Sequence, residues 1–344
     1  LTFNRNDDIN KLSSLIKNVD WVFHLAGENR PKDVSGFQIG NVELTKLICN
    51  CIKKTKKKIS LVFTSSSQVK KNNEYGKSKL AAEKYLLSLK NQKNVSVYIF
   101  RLHNVFGKWA RPNYNSVVAT FCHNIARDLP IKIDDSTANI EMVYIDDVVK
   151  KMISLMNSNN IKGIYLKCNP KYNIAVGQLA DQIQLFKKSR NNLIVEPVGS
   201  GLIRALYSTY ISYLPKEEFV YPIKKHDDKR GSFVEIIKTK DSGQISFFSA
   251  KEGVTRGEHY HHSKTEKFVV IKGKARFRFR HILTGEFYEL YTTSNKFEIV
   301  ESVPGWCHNI TNVGKEDLLC VLWSNELFDR LNPDTFPSTL NSNS

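Results

Sequence analysis

The chain has 344 residues, of which 41% are hydrophobic and 25% charged, and its formal net charge is +17. This length suffices for two domains, and the composition is that of a folded protein rather than a disordered one. No uncharged apolar stretch is long enough to span a bilayer, and no signal peptide is recognisable. Six scattered cysteines without a C-x-x-C pair suit reduced thiols, so we expect a cytoplasmic protein that does not bind membranes.

The first two hundred residues alternate short apolar runs with helical patterns. Strands are predicted at residues 22–25, 60–64 and 95–101, where β-branched and aromatic residues cluster. Apolar residues spaced by three and four predict helices over residues 41–55 and 76–91. This order of strands and helices predicts an α/β, Rossmann-like fold with a parallel sheet covered on both faces.

The pattern changes after about residue 215, where no long helical period remains. The spacing of the strand-like runs suits an all-β barrel or jelly roll. A polar, proline-bearing link at residues 213–218 therefore divides the chain into predicted domains of residues 1–214 and 215–344. The runs are residues 231–240, 244–250, 267–272, 274–280, 287–292, 297–300 and 318–323.

The basic charge belongs to the first part of the chain. Residues 1–225 carry the whole net charge of +17, and residues 226–344 are neutral. A positive field of this kind attracts nucleic acid, but it equally attracts a nucleotide. Charge alone leaves both partners open.

A catalytic set is predicted around the second helix of the first domain. Tyr75 and Lys79 are four residues apart, so they share one helix face. A nearby ammonium would lower the pKa of the Tyr75 phenol toward neutrality, and Tyr75 could then protonate a developing alkoxide. Ser66, at the end of the preceding strand, would bond the same oxygen.

These residues resemble the extended short-chain dehydrogenase/reductase family, in which serines after one strand precede Y-x-x-x-K on the next helix. Further motifs follow in the family's order: FHLAG at 23–27, Asn41, RLHNVFG at 101–107 and VYIDDV at 143–148. The resemblance implies a nicotinamide cofactor. It also implies a cofactor site formed by Leu25, Ala26, Gly27, Asn41, Tyr75 and Lys79.

The family's glycine-rich phosphate loop would precede Leu1 and is not in this sequence. We expect a chain that lacks a short N-terminal stretch; the alternative is a relative that binds no cofactor. Arg5 stands where the family often places a basic residue against the 2′-phosphate of NADP. An ordinary surface arginine is an equally good interpretation of this residue. NADPH is therefore the expected cofactor, with NADH left open.

Residues 108–127 mix basic, amide and aromatic groups and then become helical. Such groups near a strand end can read a uracil and meet phosphates. In the resembled family this region receives a nucleotide sugar. The expected substrate-binding residues are Arg101, Asn104, Lys108, Arg111 and Asn113.

The second domain carries histidines in a metal-ligand spacing. His259 and His261 alternate along a strand and would face the same way, and Glu266 and His308 would complete a three-histidine, one-carboxylate set. This set resembles the cupin motifs and suits a divalent metal, with Zn²⁺ as the first expectation and Fe²⁺, Mn²⁺ or Ni²⁺ as alternatives. His262 is an alternative ligand or a base.

The two halves together resemble the bifunctional capsular-polysaccharide and O-antigen enzymes of the CapF/WbjC type. This implies a homodimer acting on a UDP-4-keto-6-deoxy-N-acetylhexosamine on the UDP-N-acetyl-L-fucosamine route. The cupin domain would epimerise C3, and the reductase domain would reduce C4 with NADPH to UDP-2-acetamido-2,6-dideoxy-talose. Two alternatives remain: an NAD-dependent nucleotide-sugar epimerase or dehydratase whose cupin only dimerises, and a non-catalytic basic module that binds nucleic acid.

Overall fold

The computed structural model describes the chain except residues 5, 159–162, 229–230, 235, 241–242, 327–328, 330 and 341–344. Two compact units are present, residues 1–105 with 141–173 and residues 106–140 with 174–344. The helices are α1 (Ile9–Lys17), α2 (Ser35–Phe37), α3 (Leu44–Lys53), α4 (Glu74–Leu87), α5 (Val117–Ala126), α6 (Ile145–Met156), α7 (Val176–Asn192) and α8 (Gly201–Ile211). The strands before residue 200 are β1 (Trp21–His24), β2 (Ile59–Ser66), β3 (Val95–Leu102), β4 (Asn104–Phe106), β5 (Asn139–Tyr144), β6 (Tyr165–Leu166), β7 (Tyr172–Ala175) and β8 (Ile194–Val195).

The first unit is built on a parallel sheet with strand order β1-β2-β3-β6. Alternation along β2 sends Leu61 and Phe63 into a core with α1, α3 and α4, whereas Val62 joins a second core with α6. Burial of both faces explains why β2 is a continuous apolar run. The predicted Rossmann-like parallel sheet is confirmed.

The part of the chain after residue 215 is all-β, as predicted. Its strands are β9 (Val220–Pro222), β10 (Lys225–Asp228), β11 (Gly231–Val234), β12 (Lys238–Thr239), β13 (Gln244–Ala250), β14 (Thr255–Tyr260), β15 (Glu266–Lys272), β16 (Lys274–His281), β17 (Phe287–Thr293), β18 (Glu298–Glu301), β19 (Trp306–Asn312), β20 (Leu318–Ser324) and β21 (Phe336–Pro337). Two antiparallel sheets hold most of them, with strand orders β13-β20-β15-β18-β9 and β17-β16-β19-β14-β21. Phe268 of β15 meets Phe277 of β16 at a ring-centroid distance of 5.8 Å, so the two sheets face each other. The closed jelly-roll barrel remains a prediction.

A bulge interrupts β14 next to its histidine. The pairing of β14 with β19 shifts register between Gly257 and His259, and Glu258 between them has a φ of +64°. Bulges re-aim the side chains that follow them. Here the shift places His259 directly opposite His308 of β19.

The second compact unit contains α5, α7 and α8 together with the all-β region. The predicted division at residue 214 therefore stays a prediction about sequence domains and does not mark the edge of a compact unit. Among the described residues, no helix is both long and apolar enough to cross a membrane.

A buried charge network joins α7 and α8 to the β-sheets within this unit. Glu301, fully buried on β18, accepts from Arg190 of α7 at 2.6 Å and from Lys267 of β15 at 2.6 Å. Tyr207 of α8 donates to the same carboxylate at 2.9 Å. Burial raises the pKa of Glu301, but Lys267 and Arg190 outweigh it and hold that pKa below its ordinary value.

We expect Glu301→Gln to lower the free energy of unfolding by about 3–5 kcal/mol, because it leaves two buried cations without their counter-charge. Urea unfolding measures the change. Glu286→Gln is the control, since Glu286 pairs with Lys216 at 2.9 Å where both side chains are exposed, and it should cost at most about 1 kcal/mol. Equal costs for the two variants would contradict the prediction.

Candidate active site and metal centre

The first candidate site lies where β2 ends and α4 begins. Asn73 caps α4 by accepting from the Gly76 amide at 2.7 Å, which places Tyr75 in the first turn. Ser66, the last residue of β2, accepts from the Gln68 amide at 3.1 Å and so faces the turn that leads to α4. Ser66 is close enough to Tyr75 to lower the pKa of its phenol, so the two predicted catalytic hydroxyls lie near each other.

The Tyr75 phenol differs from the expectation in one respect. Burial raises its pKa, and the hydrogen bond with Ser66 opposes this only in part. The expected lowering of the Tyr75 pKa by Lys79 is wrong. Desolvation is the largest influence on this pKa, and Lys79 is not among the groups that shift it. Tyr75 is therefore held as the neutral phenol, which is the form that can donate a proton.

Lys79 is buried beneath the loop that follows β1. Its Nζ donates to the Thr64 carbonyl at 3.0 Å and lies 4.8 Å from the centre of the Phe63 ring. Burial lowers the pKa of Lys79 to about 8, against an opposing effect of Glu83. A Cβ on Gly27 would lie 2.7 Å from this Nζ, so only glycine allows so close an approach.

Asn41 fixes the same loop. It is buried in the π-helical turn Gln38–Glu43, accepts from the Glu28 amide at 2.8 Å and donates to the Glu28 carbonyl at 2.9 Å. Its amide also donates to Ser78 of α4 at 2.9 Å. Gly27, Asn41 and Lys79 thus come together as predicted cofactor residues, while Leu25 and Ala26 are exposed after β1. Arg5 lies outside the described residues.

Sequence reasoning missed Glu83, one turn after Lys79 on the buried side of α4. Its carboxylate accepts from Arg101 at 3.0 and 2.6 Å, from Ser65 at 2.5 Å and from Tyr165 at 3.2 Å. The guanidinium of Arg101, which was predicted to bind substrate, therefore forms an ion pair with Glu83. Its Cζ also lies 4.4 Å from the centre of the Tyr165 ring. The sequence could have indicated Glu83, because residues spaced by four share a helix face and Glu83 follows Tyr75 and Lys79 at that spacing.

We expect Glu83→Gln to move the alkaline limb of the reductase kcat–pH profile to lower pH. Glu83 raises the pKa of Lys79, so its removal lets Lys79 lose its proton at a lower pH than about 8. Glu74→Gln on the same helix, where the carboxylate is exposed and paired with Lys77 at 2.8 Å, is the control. An alkaline limb that stays in place in Glu83→Gln would contradict the prediction.

The other predicted substrate residues lie in different local settings. Asn104, in the first unit, is exposed and donates to the Glu141 carbonyl at 3.0 Å. In the second unit, Lys108 is buried with its Nζ 5.2 Å from the Trp109 ring centre. Arg111 lies over the Tyr114 ring at 5.1 Å. The Asn113 side chain donates to Asn124 at 3.3 Å.

The second candidate site is a cluster of three imidazoles and one carboxylate between the two β-sheets. His259, His261, Glu266 and His308 offer ligand atoms that all lie within 4.8 Å of one another. Nε2 of His261 lies 3.1 Å from Glu266 Oε2, and Nε2 of His308 lies 3.6 Å from the same oxygen. His262 is not in this cluster, because its ring packs against Tyr260 and Phe336.

The donor set fits a divalent metal. Burial lowers the pKa of His259 to about 3 and also lowers that of His308, so both rings are neutral and offer lone pairs. Burial raises the pKa of Glu266, but hydrogen bonds from His261 and His308 outweigh it and hold the carboxylate ionised. Imidazole nitrogens and a carboxylate oxygen are ligand types that zinc takes in proteins.

The loop before β19 supports this cluster from behind. Gly305 has a φ of +84°, and a Cβ there would lie 2.7 Å from the Trp109 ring. Its amide donates to the His261 carbonyl at 2.8 Å. Glycine at position 305 is thus favoured by both backbone conformation and close packing.

Two family models match successive parts of the chain. Residues 3–175 match the NAD dependent epimerase/dehydratase family, and residues 226–336 match the polysaccharide biosynthesis C-terminal domain. A protein of Pseudomonas aeruginosa described as UDP-2-acetamido-2,6-beta-L-arabino-hexul-4-ose reductase is 56% identical over 334 residues, covering 97% of this chain and 90% of that protein. The chain belongs to the CapF-type epimerase–reductase family.

Solved CapF structures share its fold. CapF of Staphylococcus aureus, a capsular polysaccharide assembling protein, superposes with a TM-score of 0.62 at 37% identity over 96% of this chain and 89% of that one. A CapF structure with the inhibitor 3-isopropenyl-tropolone gives a TM-score of 0.56 at 35% identity, covering 97% of this chain and 91% of that one. This CapF-type chain thus combines an NAD dependent epimerase/dehydratase domain with a polysaccharide biosynthesis C-terminal domain.

Proposed function

We propose that this CapF-type chain performs two steps on a UDP-4-keto-6-deoxy-N-acetylhexosamine. The C-terminal domain epimerises C3, and the reductase domain reduces the C4 ketone with NADPH, giving UDP-2-acetamido-2,6-dideoxy-talose on a route to UDP-N-acetyl-L-fucosamine. The observation that carries this proposal is the presence of both sites in one chain that is 56% identical to a hexul-4-ose reductase. Both steps need the same 4-keto group.

Reduction uses the residues around α4. NADPH, when bound, supplies a hydride to C4. The neutral Tyr75 phenol donates its proton to O4, and the Ser66 hydroxyl orients the same oxygen. The Lys79 ammonium, held beneath Gly27, would contact the bound cofactor, as the family resemblance implies. Asn41 keeps the loop above Lys79 in place.

Epimerisation uses the acidity that the 4-keto group gives to the C3 hydrogen. Loss of that proton places negative charge on O4, and return of a proton to the opposite face inverts C3. His259, His261, Glu266 and His308 would hold a divalent metal, with zinc as the proposed ion, whose positive charge would stabilise an oxyanion in this site. The neutral imidazoles of His259 and His308 and the ionised Glu266 carboxylate are the forms that bind a metal.

The proposal includes three further points that rest on the family resemblance. Arg5 would select NADPH over NADH through the 2′-phosphate. Arg101, Asn104, Lys108, Arg111 and Asn113 remain the proposed substrate-binding residues, with Arg101 acting through its pair with Glu83. The enzyme would work as a cytoplasmic homodimer.

An isotope-exchange assay tests the division of labour. The full-length enzyme is incubated with the UDP-4-keto sugar in D₂O, first without and then with NADPH, and deuterium at C3 is followed by NMR. We expect exchange at C3 without NADPH, and oxidation of one NADPH for each C4 alcohol formed.

Two outcomes would contradict the proposal. Conversion of the sugar without net NADPH oxidation would favour an epimerase or dehydratase that uses its cofactor transiently. No exchange and no oxidation, combined with tight, salt-dependent binding of DNA or RNA, would favour the basic binding module.

A further inference from the structure

The turn between β14 and β15 carries the metal-ligand candidate His261 and is held by one distant carboxylate. Asp334 accepts from the His262 amide at 2.9 Å and from the amides of Ser263 and Lys264 at 2.7 Å each. It also accepts from the Ser263 hydroxyl at 2.9 Å. Hydrogen bonds of this number from consecutive amides fix the path of a turn.

The main chain of Asp334 also reaches the ligand itself. Its carbonyl oxygen lies 2.6 Å from Nδ1 of His261. A carbonyl can only accept, so Nδ1 of His261 carries a proton and donates it to this carbonyl. Nε2, which lies 3.1 Å from Glu266 Oε2, is then the ring nitrogen that a metal can bind in place of a proton.

The neighbouring structure keeps Asp334 and the turn together. Arg204 of α8 donates to the Ser263 hydroxyl and lies 4.0 Å from the Asp334 carboxylate, and Ser208 of α8 donates to the Ser263 carbonyl. Just beyond Asp334, β21 pairs with β14, with Pro337 opposite His259. The segment from Asp334 to Pro337 therefore contacts His261 and pairs with the strand that carries His259, two of the four metal-ligand candidates.

We propose that Asp334 is a positioning residue for the metal centre: its carboxylate anchors the turn after β14, and its carbonyl selects the tautomer in which His261 binds metal through Nε2. This inference rests on the proposed metal centre and adds to it a residue that lies 73 positions from the histidine it orients. Outer groups that orient metal-bound histidines typically contribute 10–100-fold to metal affinity.

The test compares Asp334→Ala with Asp329→Ala. Asp329 also accepts from nearby groups, the Leu331 amide at 2.8 Å and the Asn332 side chain at 3.2 Å, but it is exposed. Zn²⁺ affinity is measured on the full-length protein by competition with a chromophoric chelator. We expect Asp334→Ala to weaken binding by about 10–100-fold and Asp329→Ala to leave it unchanged.

A second readout separates orientation from general stability. With ¹⁵N-labelled histidine, the metal-free wild type should show His261 protonated on Nδ1, and Asp334→Ala should show a mixture of tautomers. If the alanine variant fails to fold, Asp334→Asn replaces it; because one oxygen remains to hold the turn, we expect a smaller loss of affinity and a smaller tautomer change.

The outcomes separate this role from the metal centre itself. Zn²⁺ binding that is lost in His308→Ala but unchanged in a folded Asp334 variant would overturn only the positioning role. Binding that neither substitution affects would overturn the metal centre and the role of Asp334 with it.

Discussion

Replacing Tyr75 with Phe is expected to lower the kcat of ketone reduction by about 10²–10⁴-fold, because it removes the proton donor for O4 while keeping the ring. The C3 exchange rate in D₂O should stay at the wild-type value, since the metal-ligand candidates belong to a different part of the fold. NADPH oxidation and C3 exchange are measured on the same preparation.

Tyr85→Phe is the matched control for this experiment. Tyr85 lies on the same helix, and its ring is 36% exposed, so its hydroxyl can be removed without touching Ser66 or Lys79. Full reductase activity is expected there. Reduction that survives in Tyr75→Phe would show that another group protonates O4, and joint loss of both activities would show that the two steps share one site.

Replacing His308 with Ala should have the second largest effect. The substitution removes one of four metal-ligand candidates from a buried cluster, so bound metal should fall to background in elemental analysis. C3 exchange should drop by at least about 100-fold, because losing a ligand should cost more than losing a residue that only orients a ligand, which costs up to about 100-fold. Reduction of a sugar that already has the product configuration at C3 should persist, because Ser66, Tyr75 and Lys79 are unchanged.

His123→Gln serves as the control for the loss of an imidazole. His123 lies on α5 and contacts the Tyr213 ring edge-on at 6.4 Å, outside the metal-ligand cluster. Metal content and exchange should both remain at wild-type levels there. Metal retained at full occupancy in a folded His308→Ala variant would refute the ligand assignment.

Short-range spacing made the core of the reductase site predictable. Tyr75 and Lys79 share a face because any helix brings residues four apart together, and β2 was recognisable because burial on both faces demands a continuous apolar run. The electrostatics were not predictable in the same way. The pKa of Tyr75 depends on how much of the ring is buried, and spacing alone does not give that quantity.

Contacts between segments that are distant in sequence could not be predicted, because local spacing carries no information about which segments meet in the folded chain. Arg101 was assigned to substrate because the RLHNVFG segment resembles a family motif that borders the substrate, and in the structure it pairs with Glu83. The bulge at Glu258 sets His259 opposite His308, although simple strand alternation was enough to group the histidines. Asp334 sits in a loop without periodicity, so its relation to His261 exists only in the folded chain.

The Glu301 network limits how this protein can be divided. Arg190 and Tyr207, two partners of that carboxylate, come from segments that precede residue 214, whereas Glu301 and Lys267 follow it. A fragment that starts at residue 215 would expose this interior charge and lose two of its partners. The C-terminal region is thus not an interchangeable module, and a fragment meant to fold alone should start before α7. Recombination between relatives would have to carry α7, α8 and the β-sheets together.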